Sequence, residues 1–291
     1  MRYLIALVLT GIFVATTQNY FCKNLLRTKC DNFAYSIIVY IVALISTFII
    51  NGCRIDSLSG FTVIDGIIYG LMLTTELYCT LEALKIGPLS FTTLFIVASS
   101  IIPIIPSWII WKDPITWQQI AGIIVMFAAV ALVLDSSKDQ ENKDISVKWF
   151  VYAFIAFLAS GCAGICEKIL TISAYANEGN EFIMSGLIAA VIMMTVVLLI
   201  LRNKKKEEIT MHLTGKMLLP TAAIGLGNSL ICILTVMVLS VLSASVTFTI
   251  NNGARLIALT IIDRILFKVK ISRKQYCGIA LGIVGIVLLS I

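Results

Sequence analysis

The chain has 291 residues, of which 59% are hydrophobic and only 13% charged, with a formal net charge of +6. Soluble domains run at about 45–50% apolar and about 25% charged, and a mean hydropathy of +1.00 lies far outside that class. A soluble domain is excluded. Nor does the positive charge signify nucleic acid, because the basic residues fall between hydrophobic runs, where they report orientation and phospholipid contact.

Crossing a bilayer takes roughly 20 mostly apolar residues per helix, and windows of that kind recur from end to end. In chain order they predict helices over 3–21, 33–50, 65–84, 89–111, 117–134, 149–172, 182–201, 217–239, 244–266 and 275–291. The first is kept as a membrane helix rather than a signal peptide, since no small-x-small cleavage site follows it and the next span begins shortly after. Between the fifth and sixth windows, "DSSKDQENKD" (135–144) reads as a linker.

The expected fold is an all-α membrane protein of ten transmembrane helices, arranged as two inverted five-helix repeats. The first repeat covers residues 1–135 and the second 148–291, joined by the polar linker 136–147. The repeat is read from the last span of each half, where Ile115, Gln119, Gly122, Ile123 and Leu132 match Ile271, Gln275, Gly278, Ile279 and Leu288. An odd number of spans per repeat turns the second copy upside down. Many secondary transporters follow that plan and hold their substrate near the midplane between the copies.

Lysine and arginine set the orientation. Seventeen of the 22 lie in or beside connections after odd-numbered spans, and only Arg2, Arg54 and Lys112 lie on the other side. By the positive-inside rule both termini are then outside. Eight cysteines show no paired metal-ligand spacing, so neither disulfides nor a metal site is expected. "GLGNSL" (225–230) lacks the third glycine of a dinucleotide fingerprint, and there is no P-loop. The single histidine, His212, sits in a basic loop, so no cofactor and no enzyme chemistry are expected.

Three ionisable residues lie inside windows. Lys168, about 20 residues into its span, is read as snorkelling to the far headgroups with Glu167 as its counter-charge. Glu76 and Arg255 each fall about 11 residues into a span, roughly 16 Å deep, which is mid-bilayer. Charges there usually face a cavity or a partner and mark function. Asn251, Asn252 and Arg255 supply several donors at one depth, and a guanidinium fits a carboxylate or phosphate bidentately. A structural salt bridge between Arg255 and Glu76 is the rival reading. Glu76 is also suited to carry a proton. Asn228, Ser99 and Ser100 complete the candidate substrate site, while Thr16, Ser160 and Thr195 are further polar groups in the spans. For the hydroxyls, helix-to-helix glue is the alternative.

Pro103 and Pro106 in "IIPIIPSW" free backbone carbonyls in the fourth span, as a static kink or as a hinge for alternating access. Gly278 and Gly282 form a GxxxG that allows close packing within the chain or a homodimer seam.

The stretch 83–134 resembles the repeat of the EamA family in the drug/metabolite transporter superfamily. Ala83-Leu84, Ser90, Pro103, Asp113 and Gly122 carry the resemblance. The family usually has glutamate where Asp113 stands, and the second half keeps Gly278 but has Ala258 near the Pro103 position. The resemblance implies a ten-helix, two-repeat secondary transporter, often an exporter of amino acids or other metabolites, with helices five and ten behind the cavity. It also implies cytosolic termini, against the lysine and arginine bias.

The leading expectation is a multi-pass transporter in the plasma membrane, a bacterial inner membrane, moving a small anionic or zwitterionic metabolite, with the bilayer and that solute as its partners. Alternatives are a proton-coupled exporter of lipophilic cations working through Glu76, and a non-transport membrane subunit such as a lipid-carrier flippase component.

Overall fold

Helices form where the apolar windows predicted them, and local side-chain chemistry fixes several of their ends. The computed structural model describes residues 2–25, 32–55, 57–86, 92, 96, 98–113, 115–135, 146–205, 215–267 and 273–290. Among them are the α-helices α1 (Arg2–Leu25), α2 (Asn32–Ile50), α3 (Gly60–Ile86), α4 (Ile101–Ile109) and α5 (Trp117–Asp135). There follow α6 (Val147–Ile172), α7 (Gly179–Lys205), α8 (Gly215–Leu239), α9 (Ala244–Phe267) and α10 (Arg273–Ser290). A single 3-10 turn, Ala176–Glu178, precedes α7.

Ser146 caps α6 by accepting from Trp149 N at 3.1 Å. Thr116 and Gln119 cap α5 reciprocally: Gln119 N donates to Thr116 Oγ1 and Thr116 N to Gln119 Oε1, both at 3.2 Å. The other end of α2 closes in a Schellman turn. Gly52 takes φ +70°, Gly52 N donates to Ile49 O at 3.0 Å and Cys53 N to Phe48 O at 2.9 Å.

Among the described residues, four helical segments are long and apolar enough to cross a membrane by length and composition: Gly60–Thr80, Val147–Ile172, Ala176–Ile200 and Leu219–Leu239. Shorter apolar helices lie within Arg2–Val14, Tyr35–Ile50, Trp117–Ala129 and Tyr276–Gly285. The chain is therefore a helical multi-pass membrane protein.

The helices interleave between the halves. α3 packs on α6 and α7, and α8 packs on α1 and α2. α2 packs on α7, α5 on α10, α4 on α6 and α9, and α1 on α9. Replacing each helix by the one five places away maps most of these contacts onto one another. The main apolar core gathers α2, α3, α6, α7 and α8 around Tyr69, Leu170, Phe182, Leu187 and Met194. A second core joins α1, α5, α8 and α9 around Leu7, Met126 and Ile250.

The connections after α2, α4, α6 and α8 meet at one end. There Ser59 N and Oγ donate to Glu178 Oε2 at 3.0 and 2.9 Å, and Asn51 Nδ2 donates to Glu181 Oε1 at 3.1 Å.

The α3–α7 seam is a close one. A Cβ on Gly70 would collide with the carbonyl oxygen of Gly186, and one on Gly186 would lie 2.7 Å from Tyr69 Cδ1 and 3.0 Å from Gly66 O. Gly282 is likewise occupied within the chain, since a Cβ there would collide with Ile257 of α9 and meet Ala129 of α5 at 3.6 Å. Gly278 is buried too.

The fourth span departs from expectation. Predicted as one helix over 89–111, it is helical at Thr92, Ile96 and Ala98, the rest of 89–97 lying outside the described residues, and has Ser99 and Ser100 in a turn before α4. Pro103 has no N–H to offer Ser99 O, and Ile102 N takes that carbonyl instead at 3.0 Å. The break follows from the proline, one turn earlier than its ring.

Candidate functional site

Two polar junctions lie on adjacent faces of α6. At the first, α4, α6 and α9 meet. Pro103 Cγ and Phe248 Cζ both lie 3.1 Å from the point where a Cβ on Gly164 would sit, so the proline of α4 and the ring of α9 converge over a glycine of α6. Phe248, Asn251, Asn252 and Arg255 follow at i, i+3, i+4 and i+7, which is one face of α9. Asn251 and Asn252 are half-buried, and Asn251 Oδ1 is buried without a hydrogen-bond partner. The backbone of Arg255 continues α9, while its side chain lies outside the described residues.

On α4, Ser107 stands one turn from Pro103, only 1% exposed, with its Oγ unpartnered. Thr249 Oγ1 on α9 is also buried without a partner. That is unusual in this chain, because Thr16, Thr47, Thr195, Thr235 and Thr247 all return their hydroxyls to the carbonyl four residues back. A buried polar atom left unpaired costs about 1–3 kcal/mol.

An ion pair covers this junction. Lys168 Nζ lies 2.9 Å from Asp113 Oδ2 and donates to Oδ1 at 3.1 Å, with side chains 5% and 15% exposed. Asp113 Oδ2 also accepts from Ala244 N at 3.2 Å. That places a carboxylate at the positive end of the α9 dipole. Its position is set by the backbone, since Lys112 takes φ 52° and lets Asp113 N return to Ser107 O at 3.0 Å. The sequence expectation is corrected here: the partner of Lys168 is Asp113, not Glu167, and the ammonium is buried rather than snorkelled into headgroups.

Glu167 belongs to the second junction, between α3, α6 and α8. The Tyr69 hydroxyl donates to Glu167 Oε1 at 3.0 Å and lies 3.4 Å from Cys232 Sγ. Tyr69 is 2% and Glu167 7% exposed. Glu76 is close enough for its charge to act on Glu167, Cys232 and Tyr40. The Cys166 thiol bonds to Asp65, whose Oδ2 is buried and unpartnered.

The predicted residues thus divide. Pro103 lies at the first junction, while Asn251 and Asn252 stand one turn along α9 from Phe248; Glu76 belongs to the second. Among the described residues α3 and α9 make at most a slight contact, and the Arg255 side chain lies outside those residues. Ser99 Oγ is spent on Ile96 O at 2.6 Å, and Ser100 is buried beside it in the same turn. Pro106 lies inside α4. Asn228 is half-buried on α8, next to Ser229, whose hydroxyl meets Thr47 Oγ1 at 2.8 Å and joins α8 to α2.

Sequence reading missed Asp65, Tyr69, Glu167 and Asp113 as members of these junctions. Counting depth from a predicted start at 65 put Glu76 at the centre of the third span. The candidate span Gly60–Thr80 is instead centred beside Tyr69. The signal available was the pair Glu167-Lys168, two adjacent charges that cannot share one helix face.

Residues 2–135 match the EamA-like transporter family. The match ends where α5 ends, at Asp135. No curated protein matches the chain. Solved structures do. One, titled "Crystal structure of protein", superposes with a TM-score of 0.77 at 12% identity, covering 97% of this chain and 94% of that chain. At that identity it speaks for the fold alone.

Proposed function

We propose that this EamA-like protein is a secondary active transporter of a small zwitterionic or anionic metabolite such as an amino acid, working by alternating access between two inverted five-helix repeats. The observation that carries the reading is Asn251 Oδ1, buried and unpartnered on the α9 face that meets α4 and α6. A polar group kept in the bilayer without a partner is suited to one that arrives and leaves. Arg255, in the same register of α9, takes the solute carboxylate, and Asn251 and Asn252 complete its hydrogen bonds. Pro103 and Pro106 let α4 bend as the junction opens. Export is the direction the family resemblance implies, in the plasma membrane of a bacterium.

The inverted repeat is supported by the exchange of packing partners between helices five places apart. It is supported also by the α5 capping pair Thr116 and Gln119, whose spacing recurs as Ser272 and Gln275 before α10.

Counterflow of a radiolabelled amino-acid mixture into liposomes tests the reading. Arg255→Ala is expected to lower the flux about tenfold or more, the loss of one charge-assisted contact, with folding and insertion intact. Undiminished flux removes the proposed role. The rival, a proton-coupled exporter of lipophilic cations, is favoured by one observation, the carboxylates Asp65, Glu76 and Glu167 gathered around α3 and α6. Tetraphenylphosphonium raising the melting temperature while amino acids leave it unmoved would select it.

A further inference from the structure

We propose that the Asp113–Lys168 pair, seated on the first residue of α9, is the gate that seals the α4/α6/α9 junction from the end where the even-numbered connections meet. The inference rests on the transport reading, because a gate presupposes a solute path.

Register carries the argument. Three helices converge where Pro103, Gly164 and Phe248 touch. Ser107, Lys168 and Ala244 each stand four residues outward from those positions, toward that end. One turn of helix is about 5.4 Å, so the ion pair and the α9 amide form the layer directly above the convergence. The components also come from both halves. Asp113 belongs to the connection after α4, while Lys168 and Ala244 belong to α6 and α9. Relative motion of the halves must therefore break the 2.9 Å contact, the 3.2 Å contact, or both.

Ser107, its hydroxyl unpartnered, stands in this layer, and inward of it along α9 are the unpartnered hydroxyl of Thr249 and the amide oxygen of Asn251. Above it the connection is short and strained, with Lys112 in the left-handed region at φ 52°. Non-glycine residues in that region cluster at clamps and switches, where surrounding contacts hold them. A charged pair suits the task because it is directional and exchangeable. Both groups can be hydrated when they part, whereas an apolar plug could not.

The test uses the full chain in liposomes with Ser107→Cys as reporter, a membrane-impermeant maleimide as probe, and peptide mass analysis to resolve each site. Ser107 is 1% exposed, so labelling in this background is slow. Adding Asp113→Asn or Lys168→Met is expected to raise the rate at position 107 about tenfold or more, as the local opening equilibrium shifts. Asp113→Glu, which keeps the charge, is expected to leave it slow. Native Cys79 and Cys166, 5% and 6% exposed, serve as controls and stay unlabelled. If a single variant does not fold, Asp113→Asn with Lys168→Met, which leaves no unpaired charge, takes its place and labels fast.

An unchanged rate at 107 overturns the proposal. So does labelling of Cys79 and Cys166 in step with 107, which would make the pair a strut rather than a gate. No solute enters this measurement, so absent amino-acid flux with gated labelling would refute the transport reading alone.

Discussion

Gly70→Ala asks whether the α3–α7 seam is as tight as its geometry requires. The added Cβ would collide with the carbonyl oxygen of Gly186, lie 2.9 Å from its carbonyl carbon and 3.0 Å from Ala189 Cβ. The first two obstacles are backbone, so no rotamer change clears them, and the helices must separate. Overpacking of this kind costs about 1–3 kcal/mol. Separation also pulls Tyr69, the neighbouring residue, from its partners. Its ring sits 4.8 Å from that of Phe182, and its hydroxyl donates to Glu167. If that bond is lost the total rises to ~4 kcal/mol, taking a charged hydrogen bond as about 1.5–3 kcal/mol. Gly60→Ala is the control, because nothing lies within 4 Å of its Cβ position and alanine favours a helix. The assay is reversible unfolding in mixed micelles by titration with a denaturing detergent. Gly70→Ala is expected to unfold at a clearly lower fraction of denaturing detergent, and Gly60→Ala at or above the parent value. Equal midpoints for both variants would refute the claim that glycine at the seam is required by contact.

Tyr69→Phe removes only the donor to Glu167 Oε1 and the hydroxyl beside Cys232; about 1–3 kcal/mol of stability should go with it, read in the same titration, and Glu167→Gln added to Tyr69→Phe should cost less than the sum of the two. Glu178, in the 3-10 turn before α7, accepts from Ser59 N and Oγ at 3.0 and 2.9 Å. Glu178→Ala removes that acceptor and is expected to lower the midpoint in the same titration, and an unchanged midpoint would count against the capping role.

Much of this architecture is written in hydropathy alone. Lipid demands that each segment satisfy its own backbone, so the described parts of the apolar windows are largely helical, with a turn at Ser99 and Ser100 in the fourth. Their ends shifted where side chains intervened, as at Ser59, whose hydroxyl accepts from Thr62 N at 3.1 Å and starts α3 five residues earlier than expected. The junctions were half legible. Asn251 and Asn252 announced themselves as amides in an apolar run, and they follow Phe248 at i+3 and i+4 on α9. Ser99 resembled them in sequence, yet its hydroxyl closes a turn that Pro103 creates. Partner choice was the part beyond reach. Glu167 and Lys168 look like a mutual pair because they are neighbours, but a helix turns about 100° between them, and only the packing of α3 and of the α4–α5 connection decides what each one meets.

That pair of neighbours has a mechanical corollary. Glu167 is pinned to Tyr69 on one side of α6, and Lys168 to Asp113 on the other. A rod held by two pegs at successive positions cannot twist to release one without loading its companion. Whatever loosens the lysine is thus felt at the tyrosine, and a disturbance of the tyrosine's carboxylate bears in turn on the lysine. α6 works as a crank between two polar junctions.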